Sequence, residues 1–570
     1  MTTLARPEPR ILEGSGGRRW RIRQTPGLGP FEGAPWPALV SVLLRHRGVH
    51  DLGQAHEYLG APGELTNPKL MPNLDVAVER LARACLAHER VAILGDFDVD
   101  GVTSTTILTE GLSDLGAIPL PYIPDRFSEG YGPNVDAVKA LRARGASVLV
   151  TADCGTSAVR EVAVANELGM DVIVIDHHTV PEELPDALAL VNPKLQSSEY
   201  GSEPAAVGVA YKVVHDLYDQ LGRAYDPDEH RALVALGTVC DLAPMLAENR
   251  DLVRLGLGAL RATRRPGLLA LAEVAGIDLA DVDPDMCGWV LGPRLNAAGR
   301  MEHARISLEL LLSRNLREAK DLAKRLETLN ERRRSETATA CELATSLLTE
   351  AERTGPLVMV AAPELHAGIV GLVAARLVEQ LQRPAIVMQV EAGEARASCR
   401  SISAFDITAL LRRNAHLFKR FGGHRAAAGF TIDEARLDEV RATLIEDAGR
   451  HLDPADLVPT IDVDAELPLR HVNGDLLKWL SRLGPHGIGN ETPTFMSPNV
   501  RVLDSRAVGK DGSHLQFKLK EGAVTWRAIA FGNAANAVPD GECADLVYTF
   551  RRDALRGTLQ LEVLDLRPAG

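Results

Sequence analysis

Short apolar runs in the first third of the chain each end in a group of acidic or imidazole side chains. The runs cover residues 91–94, 147–152 and 171–175. Continuous apolar runs of this length predict buried strands of a parallel sheet. Since ligands bind outside the carboxyl ends of the strands in an open α/β sheet, the polar residues that follow the runs are expected to share one site.

The polar residues after these runs form an oxygen-rich set. It consists of Asp96, Asp98 and Asp100 after the first run, Asp153 after the second, His177 and His178 after Asp176 in the third, and Asp241 at the end of a later apolar stretch. An isolated aspartate after a strand is usually a turn or a helix cap. Because such residues follow all three predicted strands, a common site is favoured over three separate turns or caps.

The donor types in this set indicate the ligand. Clustered carboxylates repel one another unless a cation neutralises them. Carboxylates with few imidazoles and no thiolates favour Mn²⁺ or Mg²⁺, although zinc competes for such sites. Two divalent ions would stabilise both the attacking and the leaving oxygen in a displacement at phosphorus. Asp96 is expected either on the metals or beside them.

The hydrophobic pattern also divides the rest of the chain. Alternating helices and strands up to residue 176 predict a doubly wound parallel sheet, and residues 205–265 are predicted to be mostly helical. A long helix is predicted over 316–348, followed by a second α/β unit from 356 with strands near 385–390 and 396–400. From about 459, short alternating segments predict a small barrel of the OB type.

The first 55 residues are rich in Arg, Pro and Gly and then become helical around 37–47. We expect an N-terminal arm that packs on the first domain, and no chemistry is assigned to it.

Composition limits the class of protein. A chain of 570 residues with 45% hydrophobic and 25% charged residues is expected to form several globular domains. The net charge of −14 argues against a protein that coats nucleic acid without specificity. Residues 396–425 nevertheless hold seven Lys or Arg against the single acid Asp406, which predicts a local positive patch, or a solvated helix face.

The seven cysteines are scattered and form no Cys-x-x-Cys pair, which argues against a disulfide framework or a zinc ribbon. A reducing cytoplasm fits this usage best. Neither a signal peptide nor an apolar span long enough for a bilayer is expected from the sequence.

Four motifs around the polar set resemble those of the DHH phosphoesterase superfamily: DFDVDG, TADCGTS, DHH and GTVCDLAP. Four later motifs, GPRLNAAGRM, LHAGIVG, SCRS and GGHRAAAGF, are similar in order to those of its single-strand-specific 5′-to-3′ DNA exonucleases. The resemblance implies an α/β DHH domain with a parallel doubly wound sheet, a long connecting helix, a DHH-associated α/β domain and a C-terminal OB-fold barrel. The expected boundaries are 1–75 for the arm, 76–315, 316–350, 351–455 and 456–570.

The resemblance also implies residue roles. The metal ligands would be Asp98, Asp100, Asp153, His177 and Asp241, with Asp96 adjacent, and His178 would stabilise charge or assist proton transfer at the scissile phosphate. The DHH-associated domain would bind the terminal phosphate and nucleotide through His366, Ser398, Arg400, Ser401, Gly422, Gly423 and His424. Arg294, Asn296 and Arg300 would line the cleft between the two domains.

General chemistry supports part of this assignment. The glycines of LHAGIVG precede a predicted helix, whose first amides can bind an anion, and the pair Gly422-Gly423 permits close approach of the backbone to a ligand. Two positions depart from the family pattern. Cys399 replaces a glycine, and His486 replaces a phenylalanine.

The resemblance predicts a metal-dependent exonuclease that releases 5′-mononucleotides from single-stranded DNA in DNA repair and recombination. A helicase and a single-strand-binding protein are implied as partners, and no membrane is. Trp526, Phe517 and Phe531 could stack on bases or fill the barrel core. Two alternatives stay open: a phosphodiesterase of short oligonucleotides or cyclic dinucleotides, and a non-catalytic DNA-binding replication scaffold.

Overall fold

The computed structural model describes residues 9–25, 27–509, 512–534, 537–552 and 558–569. Residues 1–8 of the predicted arm lie outside this set. The N-terminal region contains β1 (Arg10–Glu13), β2 (Arg19–Ile22), α1 (Ala38–His46) and α2 (Leu52–Leu59).

A five-stranded parallel sheet follows, as the three apolar runs predict. Its elements are α3 (Leu74–Leu86), β3 (Arg90–Gly95), α4 (Val99–Asp114), β4 (Ile118–Tyr122), α5 (Val135–Ala143), β5 (Val148–Ala152), α6 (Val159–Glu167), β6 (Asp171–Ile175) and β7 (Ala189–Val191). The strand order is β4-β3-β5-β6-β7. The order reverses between β3 and β5, and a reversal of this kind opens a crevice at the strand ends.

A group of helices follows, and the first of them packs directly on this sheet. They are α7 (Ala206–Gln220), α8 (Asp228–Cys240), α9 (Ala247–Arg261), α10 (Pro266–Ala275), α11 (Pro284–Met286), α12 (Gly292–Met301), α13 (Arg305–Leu312) and α14 (Leu316–Ser346). A π-helical turn, Cys287–Leu291, joins α11 to α12. The predicted helical stretch and the long helix are both confirmed. Within the described ranges, the structure contains no helix whose length and apolar character would let it cross a membrane.

The second α/β unit is built on a mixed sheet. It contains α15 (Glu350–Thr354), β8 (Val358–Ala362), α16 (Val370–Leu381), β9 (Ala385–Glu391), β10 (Glu394–Arg400), α17 (Ile407–Arg413), β11 (Arg420–His424), β12 (Ala427–Asp433) and α18 (Leu437–His451). The strand order is β11-β12-β10-β9-β8. The basic stretch 396–425 is therefore two strands and a short helix, and the alternative of one solvated helix is wrong.

The C-terminal region forms a closed barrel. Its elements are β13 (Thr460–Val463), β14 (Ala465–Glu466), α19 (Gly474–Leu483), β15 (Thr494–Val508), β16 (His514–Glu521), β17 (Val524–Ala530), β18 (Cys543–Arg552) and β19 (Leu559–Pro568). The order β15-β16-β17-β19-β18 closes through pairing of β18 with β15. This confirms the predicted OB-type barrel.

The first part of the N-terminal arm packs on the barrel, and there the prediction that it packs on the first domain is wrong. Only the end of the arm meets the first domain, where the Tyr58 carbonyl accepts a hydrogen bond of 3.0 Å from Arg250 and the Thr66 amide donates one of 2.7 Å to Glu248. β2 pairs in parallel with β13, and the indole of Trp20 donates a hydrogen bond of 2.8 Å to Asp565. Phe31 and Trp36 belong to the same hydrophobic core as the barrel strands. Pairing across more than 400 residues leaves no local pattern in the sequence, which is why the partner was misassigned.

Candidate metal centre

Two of the three carboxylates after β3 are held by backbone amides. Asp98 caps α4 by accepting a hydrogen bond of 3.1 Å from the Gly101 amide. The two oxygens of Asp100 each accept one amide at the start of α7, both at 2.8 Å. Asp96 is buried, and its Oδ1 has no hydrogen-bond partner among the described residues. The start of α4 therefore fixes these carboxylates toward the crevice.

His177 lies at the centre of the carboxylates from the other elements. Its Nε2 is 3.3 Å from Oδ1 of Asp153 and 3.7 Å from Oδ2 of Asp100, and its Nδ1 is 3.8 Å from Oδ2 of Asp241. Asp153 follows β5 with a φ of 64°, a conformation that is unusual outside glycine and occurs at functional sites. Asp241 ends α8. The sheet and α8 thus bring their terminal side chains together.

The electrostatics of this cluster favour a bound cation. Burial, reinforced by the neighbouring carboxylates, raises the pKa of Asp96 and Asp153 well above the usual range and that of Asp241 to about 9. The same causes raise the pKa of Asp100 to about 7. Burial lowers the pKa of His177 to about 3, which keeps the imidazole neutral and able to bind metal.

The donor atoms fit a pair of divalent cations. Three sets of ligand atoms each lie within 4.8 Å of one another: Asp153, His177 and His178; Asp100, His177 and Asp241; and Asp96, Asp98 and Asp153. Asp153 and His177 each belong to two sets, so the sets overlap and would hold the ions close together. Asp153 Oδ1 and His177 Nε2 also lack a hydrogen-bond partner among the described residues. Buried polar atoms of this kind are costly unless a ligand satisfies them.

His178 is oriented by Asp176. Its Nδ1 lies 2.7 Å from Oδ1 of Asp176. Burial opposes protonation of this imidazole, but the hydrogen bond and charge of Asp176 outweigh it and raise the pKa of His178. The ring stacks on His424 at a centroid distance of 5.8 Å. Asp176 was not among the predicted site residues, although it begins the DHH motif that would have indicated it.

A second cluster, the arginine triad of Arg126, Arg300 and Arg400, lies between the two α/β units. Arg126 sits 4.7 Å from the centroid of the Phe97 ring. Arg300 donates to the Gly368 carbonyl at 3.5 Å, and Arg400 donates to the Cys399 carbonyl at 2.8 Å.

Burial is the largest cause that lowers the pKa of each guanidinium in the triad. At Arg300, the positive charges of Arg126 and Arg400 lower the pKa further than burial alone, to about 9. Buried cations that repel one another favour an anion between them.

Sequence reasoning missed Arg126 and the loop that carries it. Glu129 clamps this loop by accepting hydrogen bonds from the Tyr122 hydroxyl at 2.5 Å and the Asp125 amide at 2.7 Å. Tyr131 of the same loop donates to the Asp153 carbonyl at 3.3 Å. The only sequence signal was a lone arginine in a polar loop, which is an ordinary surface pattern.

The remaining predicted substrate residues fall into two groups. One group lies at strand ends and beside a loop: Ser398 and Arg400 at the end of β10, with Ser401 directly after it, Gly422, Gly423 and His424 at the end of β11, and His366 beside Phe127 at a ring distance of 5.5 Å. Arg294 instead pairs with Glu327 of α14, and Asn296 is half-buried on α12. The DNA contacts of all these residues stay predictions.

Glycine is required at one of these positions. Gly423 has a φ of 140°, and a Cβ there would lie 2.4 Å from the backbone of Ala428. Cys399, the departure from the family pattern, points into the core on the face of β10 opposite Ser398 and Arg400. The cysteine therefore does not narrow the approach to the cleft.

Three family models match the chain in order. The DHH family N-terminal domain matches residues 90–238, the DHHA1 domain matches 355–449, and the RecJ OB domain matches 463–565.

Proteins named single-stranded-DNA-specific exonuclease RecJ are similar over most of the chain. The Escherichia coli protein is 33% identical over 96% of this chain and 98% of its own length, and the Bacillus subtilis protein is 36% identical over 86% of this chain and 63% of its own length. The crystal structure of Thermus thermophilus RecJ in complex with Mn²⁺ superposes with a TM-score of 0.84 at 29% identity, covering 97% of this chain and 80% of that one. Because these relatives match over nearly the whole chain, including the acid cluster, the second α/β unit and the barrel, the chain belongs to the RecJ family of single-stranded-DNA-specific exonucleases.

Proposed function

We propose that this protein hydrolyses single-stranded DNA from the 5′ end and releases 5′-mononucleotides. The observation that carries the proposal is the group of three overlapping ligand sets beside the arginine triad. One cluster can hold two cations, and the other can hold an anion. A terminal phosphate held by the triad would leave the next phosphodiester beside the cations, which gives an exonuclease rather than an endonuclease.

We propose Mn²⁺ or Mg²⁺ as the cofactor, because the donors are mainly carboxylate oxygens. Asp96, Asp98, Asp100, Asp153, His177 and Asp241 would hold the ions. A bound pair supplies an activated water and stabilises charge on the attacking and leaving oxygens.

The protein's own residues position the substrate and move the proton. Asp176 fixes Nδ1 of His178, so the opposite nitrogen, Nε2, is free to donate to an oxygen of the scissile phosphate. Tyr131 lies 3.4 Å from that nitrogen and limits its orientations. Positioned proton transfer of this kind contributes about 10²–10⁴-fold to a rate.

The cleft between the two α/β units supports selection of single strands. Gly368 approaches Arg300 so closely that a Cβ would lie 2.0 Å from the Arg300 carbonyl oxygen, so the two units are tightly joined there. Because the backbones touch there, the two units have little freedom to move apart and admit a second DNA strand. In the barrel, Phe517 is buried in the core and Trp526 packs on Phe550, whereas Phe531 is 50% exposed and is the better candidate for base stacking.

We place this activity in DNA repair and recombination in the cytoplasm, with a helicase and a single-strand-binding protein as partners. All seven cysteines are free, which agrees with a reducing compartment. The partners follow from the family membership and from the need of such an enzyme for unwound DNA.

The test uses long single strands labelled at either the 5′ or the 3′ end, with Mn²⁺ and a time course of products. Early labelled mononucleotide from the 5′-labelled strand alone, with duplex spared, is expected. Persistence of long strands together with cleavage of dinucleotides or cyclic dinucleotides would favour the small-substrate phosphodiesterase. Calorimetric titration with Mn²⁺ adds a second readout, since a non-catalytic scaffold would bind no pair of ions.

A further inference from the structure

The connecting helix α14 carries two buried polar atoms that have no hydrogen-bond partner among the described residues. They are Nε of Arg333 and Oγ1 of Thr337. Residues four apart on a helix lie one turn apart on the same face, so both atoms lie on one side of α14. Both groups can donate a hydrogen bond, and a buried donor is costly while it is unsatisfied. An acceptor supplied by a ligand would satisfy both donors at once.

The charge of Arg333 is not paired with any described carboxylate. Within the described ranges, the only hydrogen bond of its side chain is one of 2.9 Å from Nη2 to Oδ1 of Asn330, a neutral group. Three carboxylates of this helix and of α16 pair with other arginines: Glu327 with Arg294, Glu336 with Arg332, and Glu379 with Arg376. Partly buried guanidinium groups without a counter-charge favour a bound anion.

Arg376 brings a second guanidinium to the same face. It lies on α16, which packs on α14. Burial raises the pKa of the Cys341 thiol, and the charge of Arg376 opposes this rise. The same charge acts on Arg333. Since Arg333 and Cys341 lie one turn before and one turn after Thr337, Arg376 lies level with Thr337. Its pair with Glu379 is exposed on both sides and contributes little, so Arg376 can turn to a ligand.

The positive region of the arginine triad extends to this face of α14. Burial lowers the pKa of Arg333, and the charges of Arg334, Arg376 and Arg294 lower it further. Burial also lowers the pKa of Arg300 in the triad, where the charge of Arg333 adds to those of the other two members. An anion beside Arg333 would offset this repulsion, and it would tie α14 to the second α/β unit.

We propose that Arg333, Thr337 and Arg376 form a second anion site, here called the helix joint, that binds a phosphate group. Arg333 Nε and the Thr337 hydroxyl donate to its oxygens, and Arg376 supplies further charge. A phosphate suits these donors because it offers several acceptor oxygens and, as a monoester, carries about two negative charges at neutral pH. The group can come from free phosphate or from the backbone of a DNA strand. Binding at the helix joint does not depend on the proposed nuclease activity.

The experiment measures binding of sodium phosphate by isothermal titration calorimetry, in EDTA and at constant ionic strength. The parent protein is the full chain with Arg400→Ala, so that the triad contributes less. Adding Arg333→Gln or Thr337→Val is expected to weaken phosphate binding about tenfold, the effect of losing one charge-assisted hydrogen bond. Thr337→Ser keeps the hydroxyl and should bind as the parent does. Arg332→Gln removes an exposed cation of the same helix and is the matched control, with unchanged binding expected.

A dT₂₀ strand with a 5′-hydroxyl is the second probe, because it carries phosphodiesters only. Loss of orthophosphate binding in Arg333→Gln assigns the helix joint to free phosphate, and loss of dT₂₀ binding alone assigns it to the strand backbone. Either result supports a phosphate site. If Arg333→Gln and Thr337→Val both bind the two probes as well as Arg332→Gln does, the proposal is overturned.

Thermal stability separates binding from a structural role. Because Arg333→Gln removes an unpaired charge, its melting temperature in phosphate-free buffer should stay equal or rise. Added phosphate should raise the melting temperature of the parent more than that of the variant. A variant that melts lower without phosphate would show that the guanidinium itself holds the helices together, and the proposal would be wrong. None of these outcomes bears on the nuclease assignment, which is tested on wild-type protein with Mn²⁺ and labelled strands.

Discussion

The acid cluster and the arginine triad are both buried groups of like charge, yet they are built differently. Every member of the acid cluster lies at the end of β3, β5, β6 or α8, or at the start of α4, within one domain. The triad draws one residue each from the loop after β4, from α12 and from β10. Neither arrangement is favourable alone, because buried like charges repel and lose hydration. Each therefore favours a bound ion of opposite charge: cations at the acid cluster, and an anion at the triad.

Asp153→Asn should produce the largest effect. The amide cannot neutralise metal charge, so the nuclease rate should fall by about 10³-fold or more. Because a buried like charge is removed, the melting temperature in EDTA should stay equal or rise. Added Mn²⁺ should raise the melting temperature of the wild type far more than that of the variant. Asp475→Asn, on the exposed face of α19, is the control, and a destabilised Asp153→Asn protein in EDTA would contradict this account.

Arg400→Ala tests the triad. It should lower kcat/KM on 5′-phosphorylated single strands by about 10–100-fold through loss of a charge-assisted contact, and much less on strands with a 5′-hydroxyl. Arg396→Ala, on the same strand but exposed, should change neither. An equal loss on both kinds of end would argue that Arg400 does not bind the terminal phosphate.

Glu110 is a buried carboxylate that is paired with cations, in contrast to the carboxylates of the acid cluster. Both of its oxygens accept hydrogen bonds of 2.8 Å from Arg265. Although burial opposes ionisation, His230 and Arg265 lower the pKa of Glu110 to about 2. A carboxyl whose folded pKa is depressed stabilises the fold above its unfolded pKa, near 4.3, and loses that contribution as the pH falls toward 2.

Glu110→Gln should therefore reduce the free energy of unfolding by about 2 kcal/mol at pH 7. The difference in the free energy of unfolding between the wild type and the variant should shrink as the pH falls from about 5 to 2. Urea denaturation at each pH measures it. A difference that does not change with pH would show that the paired charge is not its source.

Cys399→Gly should have the smallest effect. It introduces the glycine that the family pattern has at this position but removes a buried side chain near the end of β10, so a loss of about 1 kcal/mol in stability is expected. Nuclease activity should stay within about twofold, because the side chain points away from the cleft. A clear rise in activity would show that the cysteine does restrict the approach of DNA.

The contrast between the clusters also explains what the sequence could predict. Asp98, Asp153 and His177 follow apolar runs, and parallel strands bring their carboxyl ends to one edge by rule. Arg126 lies on a loop whose path depends on Glu129, and no periodic pattern in the sequence predicts its position. The barrel was predictable from alternation, whereas the partner of the N-terminal arm was not, since β2 and β13 are joined only in space.

The parallel pairing of β2 with β13 has a consequence for synthesis on the ribosome. Thr460 pairs with Arg19, so the arm emerges long before its partner exists. At typical elongation rates of about 5–20 residues per second, the arm waits roughly 20–90 s. During that time Trp20, Phe31 and Trp36 have no barrel to cover them, and nascent-chain chaperones would find their binding sites there. Completion of the last strands would then release the chain from such helpers.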